Sequence, residues 1–186
     1  MTYCEIFMKN TLVFSQDSPE NEFQVYSKRK TFGRDRRMSD LHKPHILIAE
    51  DDGDDQLLLR LAFEEIFTAP DLHFVANGQE LMDYLLGEGQ YHNTAPPSRP
   101  ALILLDLNMP KRGGYEVLQA IKSDPQLRQI PIVILTTSSH KGDIYKSYDL
   151  GANSFITKPH TFEGLVKTAK TLHAYWLETS QLPHMV

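Results

Sequence analysis

From His45 onward, short apolar runs alternate with stretches of helical periodicity, and that alternation leaves few folds open to the chain. His45 to Ala49, Ala101 to Leu105, Ile130 to Thr136 and Ser154 to Thr157 are nearly continuous apolar runs, the form taken by strands covered on both faces. Leu72 to Ala76 is a weaker fifth. Between the runs lie amphipathic stripes. Leu59, Phe63, Ile66 and Phe67 follow the first run, and Val117, Leu118 and Ile121 follow the third. After the fifth, Phe162, Leu165, Val166, Ala169, Leu172 and Trp176 recur at helical spacing and are expected to pack on a sheet. Gly87 to Pro100 holds two glycines and three prolines and is expected to be a long irregular loop. Repeated strand–helix units predict an α/β fold, a doubly wound five-stranded parallel sheet with strand order 2-1-3-4-5. In such sheets ligands bind beyond the carboxyl ends of the strands, where the order reverses between the first and third.

Size and charge narrow the reading. A chain of 186 residues with 41% hydrophobic content has enough apolar material for one sizeable core. Residues 1–43 mix polar and basic residues without sustained periodicity and are expected to be a poorly ordered tail. The folded unit is expected over 44–178, with 179–186 a short tail. Because Met38 lies just before the first run, translation is expected to start there, an idea refuted by any native peptide from upstream. Residues 1–43 carry 8 Lys/Arg against 6 Asp/Glu, and residues 44–186 carry 11 against 18. So acidic a body repels a phosphate backbone, which argues against nucleic acid as a main ligand. The basic cluster at Lys28, Arg29, Lys30, Arg34, Arg36 and Arg37 is read as solvated tail. The single cysteine, Cys4, has no internal partner, and no signal-peptide pattern is present, so a reducing cytoplasm is expected. No apolar run approaches the roughly 20 residues that cross a bilayer.

The chemistry sits where the runs end. The first runs out into Glu50-Asp51-Asp52, the third ends at Asp106, the fourth at Thr136 and the fifth at Thr157-Lys158-Pro159. Like charges about 4 Å apart repel by roughly 4 kcal/mol at an effective dielectric near 20, so three carboxylates in one cleft need a counterion. Oxygen ligands without thiolate or paired histidine point to Mg²⁺. With Lys158 on the other side, the pocket suits a tetrahedral dianion. Asp52 is expected to face outward or to cap the following helix. His140 and His160 are read as exposed loop histidines.

The segments ILIAEDD, LLDLNMPKRGGYEVL, IPIVILTTSS and SFITKP resemble bacterial response-regulator receiver domains, whose sheet is flavodoxin-like. The resemblance covers roughly residues 44–177, with 30 positions from Asp106 to Thr136 and 22 from Thr136 to Lys158. It implies that Asp106 is the nucleophile and phosphoacceptor, and that Asp51 ligates Mg²⁺ directly and Glu50 mainly through water. The backbone carbonyl of Asn108 would complete the protein ligands. It also implies that Thr136 swings its hydroxyl to the new phosphoryl group, letting Phe155 turn inward. The readout would be the face made by the fourth helix, fifth strand and fifth helix. Pro159 resembles the family's cis peptide, and Gly113 and Gly114 are expected to permit the turn after Asp106.

Three functions compete. The first is a phosphoacceptor switch, not an enzyme, in a two-component system. It would be charged by a histidine kinase or histidine phosphotransfer protein and act through protein contacts with no output module following. The long proline-containing loop and the DLNMP motif resemble small regulators paired with phytochrome kinases, which suggests homodimerisation. The second is a phosphatase of the haloacid-dehalogenase type, but those enzymes need Asp-x-Asp. The amide in Asp106-Leu107-Asn108 cannot serve as a general acid. The third is a contact module that has lost phosphorylation, against which stand the complete acids, hydroxyl and lysine.

Overall fold

Buried alternation decides this architecture. The computed structural model describes residues 45–92 and 99–183, all within one unit of the chain. Five parallel strands, β1 (His45–Ala49), β2 (Asp71–Val75), β3 (Leu102–Leu105), β4 (Ile132–Thr136) and β5 (Ser154–Thr157), form one sheet in the order 2-1-3-4-5. The helices between and after them are α1 (Gly53–Glu64), α2 (Gly78–Leu86), α3 (Gly114–Ser123), α4 (Lys141–Asp149) and α5 (Phe162–His173). The first-residue boundary of the folded unit, the Met38 start and the basic cluster lie outside the described residues.

Successive strand residues enter opposite cores, as the pleat requires. Leu47, Ile103, Leu105, Ile132 and Ile134 meet Leu81, Val117, Leu118 and Ile121 of α2 and α3. Ile46, Ile48, Leu102, Leu104, Val133 and Leu135 meet Leu59, Ala62 and Phe63 of α1 and Leu165, Ala169 and Leu172 of α5. Each fully buried aliphatic side chain contributes about 1.5–3 kcal/mol. β3 is apolar throughout, and β1 is apolar after His45, because both of their faces are covered.

Several sequence expectations shift in detail. The second strand starts at Asp71 and stops at Val75, because the Ala76 N–H turns to Glu80 Oε2 at 2.8 Å. The fourth starts at Ile132, after Pro131, which has no N–H for the ladder. Phe67 is 81% exposed rather than core, because α1 ends at Glu64 and the helical phase ends with it. Phe162, the first residue of α5, is also exposed. The α5 stripe runs on to Trp176 through a π-helical segment, Ala174–Thr179, and Trp176 and Leu177 still pack on the second core. The loop after α2 is not wholly irregular. Gly87, with φ 66, caps α2 in the left-handed conformation, and Gly89–Tyr91 form a 3₁₀ turn.

Candidate functional site

Parallel strands in this order deliver all their carboxyl ends to one edge of the sheet, and four of them end in polar residues there. Glu50 follows β1 and Asp106 follows β3. The Asp106 N–H donates to Ala49 O at 3.0 Å, so the two strand ends are bonded side by side. Glu50 and Asp106 are buried, with Asp51 exposed beside them. One carboxylate oxygen from each of Glu50, Asp51 and Asp106 lies within 4.8 Å of the others. An all-oxygen donor set of this spacing fits a hard divalent cation.

Lys158, just past β5, supplies the positive charge. Its backbone N–H donates to Thr136 O at 2.7 Å, which extends the β4–β5 pairing and points the side chain into the cleft. Nζ then lies 2.5 Å from Glu50 Oε2, 2.7 Å from Asp55 Oδ2 and 3.0 Å from Asp106 Oδ2. No peptide bond among the described residues is cis, so the expected cis Lys158–Pro159 bond is trans. Trans is the intrinsically preferred form, by about 0.5–1 kcal/mol. The three carboxylates, not an isomer of proline, hold the lysine inward.

One ammonium shared by three acids leaves the cluster short of positive charge. Burial pushes the Glu50 carboxyl up to about 7; Lys158 opposes the rise and Asp106 adds to it. For Lys158, burial pulls downward, but the bonds to Asp55 and Glu50 and the nearby Asp106 outweigh it and hold the ammonium above its ordinary range. The lysine is therefore charged at neutral pH, while Glu50 sits at the edge of protonation until further positive charge arrives.

The remaining expected residues fall as follows. Thr136 is fully buried at the end of β4, and its Oγ1 accepts from the Ser138 N–H at 3.4 Å. Asn108 is exposed, and its N–H donates to Asp106 Oδ1 at 3.1 Å. Phe155 is half-buried in β5 against the first core. Asp52 caps α1, accepting from the N–H groups of Asp54 and Asp55 at 2.9 and 3.0 Å. His140 caps α4 through Nδ1, which accepts from the Gly142 N–H, and His160 is exposed. The turn after Asp106 takes its left-handed residue from Lys111, with φ 64, rather than from a glycine. Gly114 is needed instead for close approach, since a Cβ there would lie 2.3 Å from Asp106 O.

Asp55 is the site residue that sequence reasoning missed. It lies in the first turn of α1, three positions after the Asp52 cap, and its contact with Lys158 has no counterpart in the spacing of the chain.

Together these features define a doubly wound α/β domain whose strand ends form an acidic, lysine-bridged cleft. Residues 46–170 match the response regulator receiver domain, and the chain belongs to that family of two-component signalling phosphoacceptors. Response regulator Rcp1 of Synechocystis sp. is 39% identical over 148 residues, covering 78% of this chain and 99% of Rcp1. The phosphorylated cyanobacterial phytochrome response regulator RcpA is 42% identical with a TM-score of 0.70, over 76% of this chain and 99% of that one. RPA3017, a response regulator in red light signalling of R. palustris, is 32% identical with a TM-score of 0.72 over the same shares. A Mn²⁺-bound form of Rcp1 is similar at 38% identity and a TM-score of 0.69, again covering 76% and 99%.

Proposed function

We propose that this protein is a phosphorylation switch that takes a phosphoryl group from a phosphohistidine onto Asp106. The observation that carries the reading is the convergence of Glu50, Asp51 and Asp106 with the Lys158 ammonium 3.0 Å from Asp106 Oδ2. An Asp106 carboxylate oxygen attacks phosphorus in line, a new O–P bond forms, and the N–P bond breaks to release the donor imidazole. Lys158 faces the transferring group from the β5 side and neutralises part of its charge. Glu50, Asp51, Asp106 and the Asn108 carbonyl are the residues to hold Mg²⁺, which when bound supplies the remaining neutralisation. The product adds about −1.5 to −2 charges and three acceptor oxygens. Thr136 leaves the Ser138 N–H for one of those oxygens, and Phe155 moves into the space released.

The receiver spans the family match at 46–170 and continues through α5 and the π-helical segment to Thr179. It acts in the cytoplasm as a homodimer through protein contacts on the α4–β5–α5 face, downstream of a phytochrome-type histidine kinase. The likeness to phytochrome-linked regulators supports that choice of donor. Incubation with acetyl phosphate and Mg²⁺ is expected to give a retarded band on a phosphate-affinity gel for wild type and none for Asp106→Asn. No retarded wild-type band sinks the switch and favours a contact module.

A further inference from the structure

Lys158 has three N–H bonds and three carboxylate partners, and one partner has no other evident duty. Glu50 and Asp106 also belong to the group that converges on a cation position, whereas Asp55 does not. Asp55 is delivered by the first turn of α1. There the Asp52 cap accepts from the Asp54 and Asp55 N–H groups, and Gln56 Nε2 donates to Glu50 O at 2.6 Å. These bonds fix the helix start against the end of β1. The Asp55 side chain is 35% exposed, against 2% for Glu50 and 6% for Asp106, so it stands at the rim and reaches Lys158 from outside.

Resting on the phosphoacceptor reading above, we propose that Asp55 is a positioning residue for phosphoryl transfer, holding the Lys158 ammonium at the rim and competing for it with a phosphoryl group on Asp106. A proton of Lys158 engaged by Asp55 is withheld from a phosphoryl oxygen, and a rim carboxylate repels a dianion placed beside the same ammonium. The charge of Asp55 thereby sets how tightly the phosphorylated arrangement is held. Asparagine at this position keeps an oxygen for Lys158 and removes the charge.

Fluoroberyllate, a stable mimic of a carboxylate-bound phosphoryl group, tests this by calorimetric titration of the full chain in Mg²⁺. Asp55→Asn is expected to bind it about tenfold more tightly than wild type, the scale of one lost charge repulsion near a surface. Asp55→Glu is expected to match wild type, and Mg²⁺ affinity without fluoroberyllate to stay within about twofold. Asp54→Asn removes the same charge from an exposed neighbour outside the Lys158 contacts and is expected to change nothing. Unchanged or weaker binding by Asp55→Asn, an equal gain in Asp54→Asn, or a gain in Asp55→Glu overturns the proposal. Wild-type protein that takes up no fluoroberyllate overturns the phosphoacceptor reading itself.

Discussion

Two glutamates in one domain, one half-buried and one buried, show two ways of handling a carboxylate. Glu80, in the first turn of α2, accepts from the Ala76 N–H at 2.8 Å, Gln90 Nε2 at 2.8 Å and Tyr91 OH at 3.2 Å. Beside it the His73 ring lies tilted over Tyr84 at 4.4 Å between centroids, Tyr91 meets Tyr84 edge-on at 5.1 Å, and Tyr84 OH lies 3.1 Å from His45 Nε2. Burial holds the His73 imidazole below its ordinary range, with Glu80 opposing, so the ring stays neutral at neutral pH. Glu50 is more deeply buried and must share one lysine with two other acids. The first arrangement locks the α2–3₁₀ corner onto β2. The second remains under-neutralised and gains from an added cation and from a lysine free to turn to a new anion. The contrast separates scaffold polarity from functional polarity: satisfied groups hold shape, and under-compensated ones wait for a ligand.

Removing Lys158 attacks the contrast at its hinge and carries the largest expected effect. Lys158→Met leaves Glu50 and Asp106 without their shared cation, and breaking such a buried pair costs about 4 kcal/mol. Urea unfolding at pH 8 without Mg²⁺ measures the loss, which is expected to shrink at pH 5 as Glu50 protonates. An equal loss at both pH values breaks the electrostatic account.

Next in size is the pH dependence of the wild type. The folded-state pKa of Glu50 lies above its ordinary 4.5, at about 7, so the folded protein favours the protonated acid. Its contribution is fully present below about 4.5 and is lost as pH rises through about 7, a change on the order of 3 kcal/mol. Metal-free stability is therefore expected to fall across that window. Mg²⁺ is expected to raise the melting temperature more at pH 8 than at pH 5. A larger Mg²⁺ effect at pH 5 contradicts the assignment of Glu50 to the cation site.

The smallest effect sharpens the scaffold side. Tyr84→Phe removes the bond to His45 and is expected to cost about 1 kcal/mol. The loss should be the same with and without Mg²⁺, and acetyl-phosphate labelling should be unaffected. Coupling of Tyr84→Phe to the Mg²⁺ response would show that the two regions are not independent.

Much of this was legible along the chain. A strand buried on both faces must be apolar along nearly its whole length, so β1, β3 and β4 announce themselves, as do the helices through their stripes. Glu50, Asp51, Asp106, Thr136 and Lys158 stand where each run stops, and strand order alone brings those stops to one edge. Phe67 misled because periodicity does not register the turn at which a helix ends. Gly114 misled for a different reason: its lack of a Cβ answers the Asp106 carbonyl, not a backbone angle.

Local chemistry read in order was thus enough for the topology, the two cores and the acidic strand ends, because these follow from burial and from the period of the backbone. Tertiary structure alone decided which partners a lysine keeps. Asp55 and Lys158 lie 103 positions apart and meet at 2.7 Å because the Lys158 side chain, leaving the end of β5, reaches the first turn of α1. How far Glu50 rises likewise depends on how many acids crowd one ammonium, a matter of distances in space that no spacing along a chain encodes.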